Sequence, residues 1–127
     1  MRIGIDARFF GTKDTGIGRY VRSLILNLAK IDQENTYLIF GAEEIKAEIK
    51  DFNNFVYIPL NTPIYSLKEQ LVNPLVFLSY NLDLLHVPHF NAPLLYHKKI
   101  VVTIHDLIKH LSVGPKTSTH NPLLYYF

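Results

Sequence analysis

The chain has 127 residues, with thirteen Lys and Arg against eleven Asp and Glu, six His and no Cys, for a formal charge of +2. That length suits one domain able to bury a core without crosslinks, and the missing cysteines exclude disulfides, thiolate nucleophiles and zinc–thiolate sites. The near balance of charge, with no basic stripe, argues against a nucleic-acid partner. Asp6 arrives too soon for a signal-peptide apolar region, and polar residues interrupt the most apolar stretch, 71–87, short of a membrane span, so a soluble cytoplasmic protein is expected.

Ile3-Gly4-Ile5 reads as a strand ending at Asp6. A loop leads to Gly16-Ile17-Gly18, after which Ile17, Val21, Leu24, Ile25, Leu28 and Ile31 recur at helical spacing as one apolar face. This βα unit presents backbone N–H groups at a helix N-terminus, where the macrodipole favours a phosphate or carboxylate. A dinucleotide cofactor does not fit. The fingerprint needs a third small residue where Val21 stands, and the glycine turn comes late after the strand. No cofactor is expected.

After a turn at 32–35, Thr36–Phe40 is a β-rich run closed by Gly41. Glu43–Lys50 reads as a short charged helix, and Phe55–Ile58 before Pro59 as a third strand. Glu43, just beyond strand two, is the one residue that keeps a ribose contact open. Ser66 and Glu69 form a capping-box pattern opening a helix to about Tyr80, with Pro74 predicting a kink or break. Leu84–Val87 and Lys99–Ile104 are two more strands. The second, continuously apolar and β-branched, predicts a central strand buried on both faces. Gly114-Pro115 marks a turn-like segment over 112–121, and 122–127 begins an uncapped apolar helix, which suggests a longer polypeptide with Tyr125, Tyr126 and Phe127 packing against a missing partner.

Strands alternating with helices predict an open parallel, Rossmann-like α/β sheet with helices on both faces. Ligands in such sheets bind beyond the carboxyl ends of the strands. Asp6 and Arg8, His86, His89 and Asn91, and His105 and Asp106 all fall there.

Four segments in this order resemble the N-terminal half of a GT-B-fold glycosyltransferase of the family-4, or group 1, type. They are Ile3-Gly-Ile-Asp-Ala-Arg8, Gly16-Ile-Gly-Arg-Tyr20, Leu85-His-Val-Pro-His-Phe-Asn-Ala-Pro-Leu94 and Val101-Val-Thr-Ile-His-Asp-Leu107. The resemblance implies retaining, metal-independent transfer of a sugar from a nucleotide-sugar donor to a sugar or glycolipid acceptor, in a cleft between two domains. Residues 1–127 would form the single N-terminal, acceptor-side domain. The C-terminal domain, which binds the nucleotide and carries a Glu-x7-Glu motif, would be absent, since no two glutamates here stand eight apart. Turnover by these residues alone is therefore not expected. A glycolipid acceptor would add peripheral contact with a membrane, and an apolar face left by the absent domain would predict a homodimer.

The resemblance places His105 against the donor sugar as the catalytic-site residue and the loop of Gly16 and Gly18 near the donor phosphates. Other readings stand beside these: His105 satisfying loop carbonyls, the glycines serving backbone conformation alone, and Asp106 capping the next turn. Arg19, a cation in the first turn of a helix, opposes the macrodipole and so calls for an anionic ligand, here the donor phosphates, or a carboxylate partner. Arg8, His89 and Asn91 are candidates for acceptor contact, although pairing with Asp6, itself read as structural, is the simpler account of Arg8. His86, His89, His97 and His110 lack a helix, a cysteine or a clear carboxylate third ligand, so no metal is expected. The rival from another class is a non-catalytic α/β module holding an acceptor or partner protein. A small nucleotide-dependent enzyme complete in 127 residues would need a phosphate-binding G-x-x-x-x-G-K-[ST] loop that is missing.

Overall fold

The computed structural model describes residues 1–11 and 15–106. The segment expected to turn and begin a helix over 112–127, with its Tyr125, Tyr126 and Phe127, lies outside them, as does His110. Eight elements follow in order: β1 (Arg2–Asp6), α1 (Gly16–Ile31), β2 (Thr36–Gly41), α2 (Glu44–Ile49), β3 (Phe55–Pro59), α3 (Leu67–Ser79), β4 (Leu84–Val87) and β5 (Ile100–Val102). The strands form one parallel sheet in the order β3-β2-β1-β4-β5, an open Rossmann-like α/β arrangement.

Strand alternation sorts the core into two layers. Ile5, Tyr37 and Ile39 face α1 and α2, packing with Val21, Ile25, Ala29, Ile45 and Ile49. Leu38, Phe40, Leu85 and Val87 face the other way, onto Phe77 of α3 and Tyr96. Gly4 lies on this second face, where Leu82, Phe40 and Leu85 close over it so tightly that a Cβ would stand 2.5 Å from Leu82 Cδ1. Of the expected stripe, helix α1 buries Val21 and Ile25 and half-buries Ile17, Leu24 and Leu28, while Ile31 at its end is 79% exposed.

Two expectations are corrected. β5 is an edge strand among the described residues, with Val101 46% exposed. An unbroken β-branched run is what a doubly covered strand requires, but it does not by itself bring the second cover. α3 continues through Pro74 to Ser79, so of the kink or break expected there the break does not occur. Pro74 is itself buried, and Phe77, one turn on, is carried into the core by the same helix.

The order reverses between β1 and β4. The chain steps from β1 outward to β2 and β3, then crosses back under α3 to pair β4 with the other edge of β1. Open α/β sheets bind ligands beyond the strand ends at such a reversal, and here the loops leaving β1 and β4 meet there, Phe9 against His89.

Candidate functional site at the β1–β4 switch point

Asp6, the last residue of β1, shares register with Phe40 and so points toward the α3 side. The chain then turns, with Ala7 N–H donating to Phe40 O at 2.7 Å, and Arg8 folds back over Asp6. Its Nε donates to Asp6 Oδ1 at 2.8 Å and its Nη2 to Oδ2 at 2.6 Å, a bidentate fork. The same Nη2 bridges to Glu69 Oε1, and Nη1 reaches Thr62 O at 3.3 Å. Asp6, Arg8 and Glu69 are all buried.

Glu69 sits in the first turn of α3. The Ser66 hydroxyl caps its N–H at 3.1 Å, as the capping-box spacing predicts. The reciprocal half differs: Glu69 Oε2 accepts from Tyr65 N–H at 2.7 Å and from Asn91 Nδ2 at 2.6 Å. Every partner of this carboxylate is a donor, as an ionised group requires.

His89, two residues past β4, is fully buried, with its Nε2 3.5 Å from Asp6 Oδ2 and the Phe9 ring against it at 4.9 Å. Its Nδ1 accepts from Asn91 N–H at 3.2 Å, so the neutral ring carries its proton on Nε2, facing Asp6. Burial pushes the Asp6 carboxyl up, but the Arg8 fork and its charge, with the His89 Nε2–H aimed at the carboxylate from 3.5 Å, outweigh it and hold the group at about 2. Burial likewise disfavours the Arg8 cation, and the two carboxylates more than offset it, raising Arg8 above its ordinary value.

Asp6, Glu69 and His89 bring ligand atoms within 4.8 Å of one another, a donor set of the kind that holds a cation. The cation already between the two carboxylates is the Arg8 guanidinium.

The network holds the 88–92 turn. Asn91 donates to Glu69 and accepts from Gln70 Nε2 at 3.2 Å. Pro88 O in that turn accepts from His105 Nε2 at 2.8 Å, and the Tyr20 ring of α1 meets the exposed imidazole edge-on at 4.9 Å. With Nε2–H committed to a carbonyl, the Nδ1 lone pair of neutral His105 is left to accept from a ligand hydroxyl. His86, half-buried on the α1 side, pairs its Nε2 with Thr103 Oγ1 at 2.8 Å, and burial lowers its basicity.

The candidate residues thus separate into layers. Arg8 and His89 are buried, Arg8 on Asp6, Glu69 and Thr62 O, His89 between Asp6 and the Asn91 N–H. Asn91 is half-buried with both ends of its amide engaged. His105 stands at the surface. Thr15 caps α1, its hydroxyl taking Gly18 N–H at 3.1 Å, so Gly16 begins the helix and buried Gly18 spends its N–H on the cap. Arg19 lies on the outward side of α1 in a shallow groove with Arg22, Ser23 and Lys30, while Tyr20 turns to His105. Glu69 was missed as a site residue. Its only sequence signal is the capping box, and its partners Arg8 and Asn91 stand 61 and 22 residues away.

Comparison with protein-family models, characterised proteins and solved structures gives no match. No described helix is long and apolar enough to cross a membrane.

Proposed function

We propose that this chain supplies the N-terminal, acceptor-side domain of a retaining glycosyltransferase of the GT-B, family-4 type, which moves a sugar from a nucleotide-sugar donor to an acceptor. One observation carries the reading: the four segments behind the resemblance, scattered over a hundred residues, touch one another at a single sheet edge. Asp6 meets His89, the His89 turn offers Pro88 O to His105, and His105 packs on Tyr20. In this reading His105 Nδ1 takes a donor-sugar hydroxyl, and the oxocarbenium-like charge of the transition state is stabilised by donor phosphates and fixed dipoles.

The test is the native reading frame beyond the codon for Phe127, followed by assay of its product. A continuation of about 200 residues, the size of a second domain, carrying Glu-x7-Glu and transferring sugar with retained anomeric configuration supports the reading. A stop codon at that point, with nucleotide sugars bound but not turned over, favours a non-catalytic binding module instead. That second reading draws on the layering of the site: Asp6, Arg8 and Glu69 spend their charges on one another with His89 buried against Asp6, and of the titratable candidates for ligand contact only His105 and Arg19 are exposed.

A further inference from the structure

His105 is the imidazole that the proposed function turns toward substrate, yet β5, the strand leading into it, is only three residues long and pairs with β4 alone among the described residues, with Val101 and Ile104 exposed. What fixes the ring lies elsewhere. Its Nε2–H is spent on Pro88 O, in the turn after β4, so the direction of the Nδ1 lone pair follows the position of that turn.

One buried carboxylate grips that turn twice. Glu69 Oε2 accepts from Asn91 Nδ2 at 2.6 Å, the short contact of an ionised acceptor. The same oxygen accepts from Tyr65 N–H at 2.7 Å and ties down Tyr65 at φ 60°, a left-handed backbone that a bulky residue keeps only where its surroundings impose it. The Tyr65 ring then stacks on Phe90 of the turn, centroids 5.5 Å apart and planes 19° from parallel. A residue just before a helix cap ordinarily packs on the fourth residue of the helix, here polar Gln70, so this strained backbone serves the turn rather than α3. Gln70 holds the chain further on, at Ala92 O and Leu94 N–H. Asn91 spends its Nδ2 on Glu69, its Oδ1 on Gln70 and its main-chain N–H on His89 Nδ1. The other Glu69 oxygen is anchored by Arg8, itself forked onto Asp6 at the end of β1. We infer that Glu69 and Asn91 are positioning residues for His105: through the 88–92 turn they aim its Nδ1 lone pair, so that the ring takes its place from the buried network of β1 and α3 and not from its own strand. The inference rests on the transferase reading only for the sugar hydroxyl that Nδ1 would meet.

The experiment is nitrogen NMR of the imidazoles in the 127-residue chain, following exchange of the His105 Nε2–H with water. His86, whose Nε2 meets Thr103 Oγ1 across β4 and β5, is the internal reference through its nitrogen shifts. In the wild-type chain the His105 proton is observed, because a carbonyl holds it. Asn91→Ala removes the side-chain link while keeping the main-chain bond to His89 and the Arg8 ion pairs. The His105 proton then exchanges about fivefold faster or more, as the loss of one hydrogen bond's worth of order gives, with His86 and the urea midpoint little changed. Glu69→Gln, whose single amide oxygen cannot serve Arg8, Tyr65 and Asn91 together, gives a larger increase. A His105 proton already lost to exchange in the wild type, or one untouched by Asn91→Ala, overturns the inference and leaves the ring to Tyr20 and β5. So does an increase accompanied by changed His86 shifts or a fallen midpoint, which marks general loosening. The readout needs no substrate, so failure of sugar transfer by a full-length product bears on the transferase reading alone.

Discussion

Taking away the Arg8 guanidinium would leave two carboxylates buried together with no cation between them. Breaking a buried pair from one side costs more than the pair contributes, because the stranded charge cannot regain water. Arg8→Met should therefore lower unfolding stability by about 3 kcal/mol or more, read by urea titration at neutral pH. Asp6 makes the same network sensitive to acid. Its native carboxyl titrates at about 2 against an ordinary value of 3.8, so native Asp6 stays ionised where the unfolded chain has taken up its proton. The stability this confers, about 2 kcal/mol, is complete above the ordinary value and is lost as pH falls from there to about 2. Acid unfolding should show that loss, and Asp6→Asn should flatten it. Asp32, lowered by hydrogen bonds from Tyr37, Asn35 and Glu34, remains in the variant to mark the residual slope. Under the proposed transferase reading, His105 serves the chemistry rather than this base. In a full-length transferase, His105→Ala should cut kcat tenfold or more, roughly 1.4 kcal/mol of barrier. An unchanged kcat would remove His105 from the mechanism.

At the scale of elements, what could be read in advance was what neighbours in sequence determine. The spacing of Val21, Ile25 and Leu28 marks α1, and Ser66 with Glu69 marks the start of α3, because helical period and caps act within a few residues. Glu69's second role was hidden for the opposite reason: Arg8 and Asn91 approach it only once β1, α3 and β4 have assembled. The position of β5 was hidden too, since Ile100-Val101-Val102 reads alike whether or not another layer covers it. Gly41 is a further case. Nothing local requires glycine at the end of β2, yet a Cβ there would stand 2.8 Å from Ala7 O and 2.5 Å from Ile45 Cδ1. The Ile45 tip can rotate away, but the Ala7 carbonyl belongs to the turn that carries Arg8 onto Asp6. Gly41→Ala should destabilise by about 1–3 kcal/mol, as overpacking does, and a thermal melt checks it. A neutral effect would mean that this turn yields without cost.

For the molecule as a whole, the sheet is unevenly covered, and that sets where it opens first. β1 pairs on both sides, and the Ile5 and Asp6 side chains are buried under opposite layers. Among the described residues β5 pairs with β4 alone, spans three residues and leaves Val101 exposed. Opening β1 requires breaking both core layers and the Asp6–Arg8 fork, which amounts to unfolding the domain. Parting β5 from β4 exposes little beyond Ile100 and the His86–Thr103 bond. Local stability follows such differences in buried contact. Amide hydrogen exchange should therefore run at least about tenfold faster in β5 than in β1 or β2, a gap of some 1.4 kcal/mol in opening free energy. The gap bears on the site, because β5 leads directly into His105. If β5 frays first, His105 is held mainly by its bond to Pro88 O and by Tyr20, and exchange at residues 103–105 should track β5. Protection in β5 equal to that in β1 would instead mean that its outer edge is covered by a further layer, and that His105 stands on a strand as firm as the centre of the sheet.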